Sequence, residues 1–157
     1  MSTRPVTAAS RSFAALWGAR DFADIQLGDS ATIEKVISVK AIQDFALLSG
    51  DFNPLHVDEA FAGKTPFRRP VAHGMLLGSY LSTLIGMHLP GPGALWTEQT
   101  VRWLLPVFPG DVVQMTLRVV HKSTAARVLK IQMEACNQDG KKVMEGAGLV
   151  TMPKLEV

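Results

Sequence analysis

The sequence predicts an α+β domain in which one antiparallel sheet curls around a single buried helix. Three observations lead there. The segment His73–Met87 carries no charged side chain and is apolar around its circumference, as a helix enclosed by protein must be. Four later runs, residues 94–105, 112–121, 127–137 and 142–152, are rich in Val, Leu, Ile and Thr. Short turn signals join those runs, so they read as hairpin-connected strands, and helices followed by consecutive strands define this class.

Each element follows from its pattern. Residues 31–39 alternate around Ile33, Val36, Ile37 and Val39 and predict a first strand. Ile42, Phe45, Ala46 and Leu48 recur at helical spacing over residues 41–48. Gly50 and Pro54 then impose a loop, and residues 57–62 read as further helical turns ending at Gly63. Pro66 and Pro70 predict an extended connection, because a residue preceding proline avoids helical dihedrals. The buried helix runs from Gly74 to Leu89, with small residues at Gly78, Ser79, Ser82 and Gly86, and Pro90-Gly91-Pro92-Gly93 stops it. Residues 106–111 separate the second and third strands, and Asn137-Gln138-Asp139-Gly140 is a hairpin signal between the last two.

Composition narrows the function. A chain of 157 residues with 47% apolar and 19% charged residues is long enough for one core and too apolar to be disordered. Its 16 basic and 14 acidic residues are scattered, which predicts neither a nucleic-acid partner nor an acidic surface to dock on. No apolar run reaches the roughly 18 residues that a membrane-spanning helix needs. The single Cys136 excludes an intrachain disulfide and fits a reducing compartment, so a cytoplasmic location is expected. Residues 1–20 contain Arg4, Arg11 and Arg20, five Ser or Thr and no acid. That is either a flexible extension or a transit peptide, and the latter would place the protein in the mitochondrial matrix. The domain division is therefore an extension over 1–22 and one domain over 23–157.

Two segments carry chemistry. In Ser49-Gly50-Asp51-Phe52-Asn53-Pro54-Leu55-His56 a carboxylate and an imidazole stand five positions apart across a rigid turn. Such a pair can hold a water and pass its proton near neutral pH. The same residues also describe a side-chain turn followed by a histidine satisfied in a core. The second segment, Phe67-Arg68-Arg69-Pro70-Val71-Ala72-His73-Gly74, leads into the buried helix. The first turn of a helix has unpaired N–H groups that can hold a developing oxyanion, and glycine lets a carbonyl approach them. Alternatively, Gly74 relieves crowding and His73 caps the helix. Asp51, His56 and His73 have donor chemistry for a metal, but their spacing matches no standard ligand pattern, and neither metal nor cofactor is expected.

Phe45-Ala46-Leu47-Leu48-Ser49-Gly50-Asp51-Phe52-Asn53-Pro54-Leu55-His56, continuing through Phe61 and Ala62, resembles the hydratase signature of the MaoC-like dehydratase family. Phe67, Arg69, Pro70, His73 and Gly74 resemble that family's next conserved feature, and the similarity runs from about Phe22 to Met152. The resemblance implies a hot-dog fold, a homodimer and an (R)-specific enoyl-CoA hydratase acting on an acyl-CoA thioester. It makes Asp51 and His56 the catalytic pair and the backbone N–H of Gly74 the oxyanion donor. It places Ser82 where the family has a hydroxyl near the active site, so that Ile85 and the apolar face beside it would shape the acyl pocket. Arg69 is counted among the substrate-binding residues for its charge, while its place in the family pattern also fits a structural role. Lys64, Arg68 and Arg69 are further candidates for CoA phosphates, whereas His88 and His121 belong to no motif. Dehydration of a 3-hydroxyacyl-carrier-protein and a non-catalytic thioester-binding subunit are the alternatives. Thioester hydrolysis would want a carboxylate on or beside the central helix, and Gly74–Leu89 has none.

Overall fold

The computed structural model describes residues 20–154. The expectations for residues 1–19, a flexible extension or a transit peptide, lie outside them.

A short 3₁₀ turn, Phe22–Asp24, leads into strand β1 (Ser30–Val36). The strand stops short of Val39, because Ser38 turns outward and its hydroxyl accepts from Ala41 N at 3.0 Å, capping helix α1 (Val39–Ser49). Gly50 ends α1 in the left-handed region at φ 77°, with its N–H donating to Ala46 O at 2.8 Å. Helix α2 (Pro54–Val57) starts earlier than the apolar pattern predicts, because Asn53 Oδ1 accepts from Leu55 N at 3.1 Å and proline suits the first turn. Asp58 then interrupts the helical run and caps α3 (Glu59–Ala62). The segment between Pro66 and Pro70 is turned rather than extended: Arg68 adopts φ 62° and its N–H donates to Thr65 O.

Helix α4 (Gly74–Thr83) continues as a wider π-type turn, Leu84–His88, in which Leu89 N donates to Leu84 O at 2.8 Å. Strands β2 (Leu95–Trp103), β3 (Val112–Ser123), β4 (Val128–Cys136) and β5 (Lys142–Thr151) follow. They form one antiparallel sheet with β1, in the order β1-β3-β4-β5-β2. Every second residue of β3 and β4 points inward: Val113, Met115, Leu117 and Val119 on β3, and Leu129, Ile131, Met133 and Ala135 on β4 are buried. Leu76, Leu77, Leu81, Leu84 and Ile85 fill the trough that they line. This is the hot-dog arrangement, a sheet wrapped around one helix.

One expectation needs correcting. The helix is not enclosed on all sides, because Met75 and Met87 are 58% and 57% exposed and Ser79 and Ser82 are exposed between them. A single curled sheet covers only the face turned toward it. The remaining stripe of small and flexible residues stays open, beside the edge strand β2.

Candidate active site

The loop after α1, the start of α2, the start of α4 and the end of β2 meet at one open cavity of about 570 Å³. Asp51, His56, His73 and Gly74 line its polar end, and Phe45, Phe67, Leu77, Trp103, Leu104 and Leu105 line its apolar remainder. Such a division suits a substrate with an apolar tail and one polar reacting group.

Local hydrogen bonds set the polar end. Asp51 Oδ1 accepts from Asn53 N at 3.2 Å, and Asp51 N donates to Ser49 Oγ at 3.2 Å, so the side-chain turn and the presentation of the carboxylate occur together. His56 Nδ1 lies 2.7 Å from Val71 O. A backbone carbonyl only accepts, so Nδ1 carries the hydrogen and Nε2 of the neutral ring keeps a lone pair. The segment that supplies Val71 is itself anchored, with Val71 N donating to Leu55 O and Ala72 N to Val107 O.

Gly74 opens α4, and no side chain caps it. His73 occupies the cap position without a capping hydrogen bond. Its Nε2 instead donates to Asp51 O at 2.9 Å, so the cap expectation is corrected. Gly74 and Met75, the first two residues of α4, line the cavity, which sets the positive end of the helix dipole at its wall. A side chain at position 74 would not fit. A Cβ there would lie 2.7 Å from Cε2 and Nε1 of Trp103, whose indole rests over the helix start.

The other candidates lie elsewhere in the described chain. Ser82 sits on the exposed stripe of α4, about 12 Å along the axis from Gly74 at the usual helical rise. Ile85 is buried in the trough beneath the sheet and does not reach the cavity. Arg69 lies on the far side of His56, at a second cavity, with its guanidinium 3.9 Å from the Phe108 ring centroid. Lys64 and Arg68 are exposed. Asp51, His56 and His73 offer ligating atoms within 4.8 Å of one another. The His56 and His73 rings lie against each other, with centroids 3.9 Å apart and planes inclined by 33°.

His73, Phe45, Trp103 and the Leu104-Leu105 pair line the cavity as well, and the sequence pattern gives them less weight than Asp51, His56 and Gly74. The apolar ones read as ordinary strand and helix residues. The signal for Trp103 was present only indirectly, in a glycine where a helix begins.

Fold and site together define a hot-dog protein with an acid–base pair at the mouth of an apolar cleft. Residues 25–139 match the MaoC-like domain model. An (R)-specific enoyl-CoA hydratase from Rhodospirillum rubrum is 39% identical over 84% of this chain and 91% of its own length. A 3-hydroxybutyryl-CoA dehydratase from Methylorubrum extorquens is 35% identical over 86% and 85%. The solved (R)-hydratase from A. caviae superposes with a TM-score of 0.80 at 37% identity, covering 83% of this chain and 98% of that one. The chain belongs to the MaoC-like family.

The Gly74–Trp103 contact predicts a paired effect. Gly74→Ala should lower unfolding free energy by about 1–3 kcal/mol through overpacking. Adding Trp103→Ala to the same chain should remove most of the overlap. Denaturant melts of the three proteins check this, and equal stability of Gly74→Ala and wild type would contradict it.

Proposed function

We propose that this chain is an (R)-specific enoyl-CoA hydratase, adding water to a trans-2-enoyl-CoA and, in reverse, dehydrating the (R)-3-hydroxyacyl-CoA. The observation that carries the reading is the meeting of three parts at one cavity: the Asp51 carboxylate, the lone pair of His56 Nε2, and the open N-terminus of α4 at Gly74. The names of the relatives support the substrate class.

The reaction follows from that arrangement. A water held between Asp51 and His56 gives up a proton as its oxygen bonds to C3 of the enoyl group. Electron density moves through C2 into the thioester carbonyl, whose oxygen the Gly74 N–H receives. The same pair returns a proton to C2, so one water is consumed and no other reactant is needed. A backbone donor of this kind is typically worth ~3–4 kcal/mol of barrier, and a positioned acid–base group ~10²–10⁴-fold in rate.

Several further assignments belong to this proposal. The acyl chain would follow Phe45, Leu77 and Trp103, and Arg69, with Lys64 and Arg68, would meet the CoA moiety. Strand β2 ends the sheet, so one of its edges has unpaired backbone groups, and Leu95 and Trp103 on it are 56% and 49% exposed. An open edge beside the exposed stripe of α4 supports a homodimer joined there, which would cover Ser82 and bring a second chain to the cleft. Ser82 is retained as a substrate-side residue on that basis, whereas Ile85, buried in the trough, is placed away from the acyl chain. The extension over 1–22 and the domain over 23–157 form the proposed division. No helix among the described residues is long and apolar enough to cross a membrane. The cytoplasm is the proposed location, with the mitochondrial matrix as the alternative if residues 1–20 are a transit peptide.

Incubation with crotonyl-CoA tests the function. The enoyl absorbance should fall without release of free thiol. His56→Ala and Asp51→Asn should each lower kcat by at least ~10²-fold while keeping the wild-type melting profile. A His56→Ala protein that hydrates crotonyl-CoA at the wild-type rate would overturn the assignment. For the assembly, sedimentation equilibrium should return twice the chain mass. A monomer at micromolar concentration would contradict the dimer.

A further inference from the structure

Asp51 and His56 come from different pieces of backbone, one from the loop after α1 and one from α2, and His73 touches both. Its Nε2 lies 2.9 Å from Asp51 O, and its ring is stacked on the His56 ring with centroids 3.9 Å apart. Phe45 of α1 packs against it as well, at 5.0 Å between centroids. The side chain is 2% exposed, and its Nδ1 is fully buried with no hydrogen-bond partner among the described residues.

That unpaired nitrogen is the informative part. A buried polar atom without a partner costs stability, and an apolar side chain of similar size would fill the same space without that cost. His73 does not recover the cost by capping α4, since it makes no capping bond. What the imidazole offers, and a leucine cannot, is an N–H donor to Asp51 O and a flat face for His56.

We propose that His73 is the positioning residue that locks the two members of the acid–base pair to each other and to the start of α4. The proposal rests on the hydratase reading. The carbonyl of Asp51 can only accept, so His73 carries its hydrogen on Nε2 and leaves Nδ1 bare. His56, bonded through Nδ1 to Val71 O, carries the opposite tautomer. The stacked pair thus presents one N–H to the Asp51 backbone and one free lone pair to the cavity. Because His73 immediately precedes Gly74, the same residue ties both groups to the helix end that receives the thioester oxygen.

The test has two arms. In ¹⁵N-histidine-labelled wild-type protein, assigned through the backbone, neutral His73 should show a protonated Nε2 and bare Nδ1, and neutral His56 the reverse. In the second arm His73→Leu should lower kcat for crotonyl-CoA about 10- to 100-fold with KM within about threefold, as a misplaced catalytic group does. His73→Gln, which keeps an N–H donor near the Nε2 position, should recover part of that loss. Protonated Nδ1 on His73, or a folded His73→Leu protein with kcat within twofold of wild type, would overturn the proposal. The tautomer requires no variant, so it decides alone if the leucine substitution does not fold. Absence of turnover in wild type would instead strike the hydratase reading and leave the tautomer result standing.

Discussion

Burial of one face of α4 in the trough of the sheet is the constraint on which the molecule depends. Leu77, Leu81 and Leu84 are at most 2% exposed, packed against the inward residues of β3 and β4. That contact takes apolar surface out of water, and apolar burial is the main favourable term in folding. It also fixes where α4 begins. The helix start is directed at the cleft between β2 and the α1–α2 loop, so the groups best suited to receive a developing negative charge are placed by the core itself.

The loop from Gly50 to His73 is built around that fixed point. Gly50 reverses the chain after α1 with a positive φ, Asn53 starts α2, and Val71 returns to accept from His56. Each step is a local hydrogen bond of ordinary strength, yet together they bring Asp51, His56 and Gly74 to one wall. Trp103 closes the arrangement from the sheet side, and it can do so because position 74 has no side chain. Rigidity at the polar end and openness at the apolar end follow from the same division of labour. The polar residues are held by backbone partners, whereas the apolar lining is gathered from α1, the loop before α4, α4 itself and the end of β2 with the residues after it.

Much of this was legible in the sequence, for physical reasons that differ by element. The strands were readable because alternation has a period of two and the hairpin residues are chemically distinctive. All four late strands lie within two residues of the predicted bounds at every end. Boundaries failed where a polar side chain competes with the apolar pattern: Ser38 ends β1 early, and Asp58 splits a predicted helical run. The exposed stripe on α4 was hidden, because composition reports that a helix is apolar and not which of its faces a sheet covers. Asp51 and His56 were visible through the length of the motif around the Asn-Pro turn, since their spacing alone fits a side-chain turn and a core histidine equally well. The placement of His73 against both was not, since a ring contact and a bond to Asp51 O across 22 positions leave no local signature.

One acid–base pair on one wall of the cleft makes a geometric claim. Water addition at C3 and proton delivery at C2 should take place on the same face of the enoyl group, because no second titratable pair faces the cavity among the described residues. The most direct measurement is hydration of crotonyl-CoA by wild-type protein in deuterium oxide, with the product resolved by NMR and by chiral analysis. A single (R)-3-hydroxybutyryl-CoA carrying one deuterium at C2, added syn to the hydroxyl, is the predicted result. The (S) product, anti addition or a mixture of diastereomers would contradict the account.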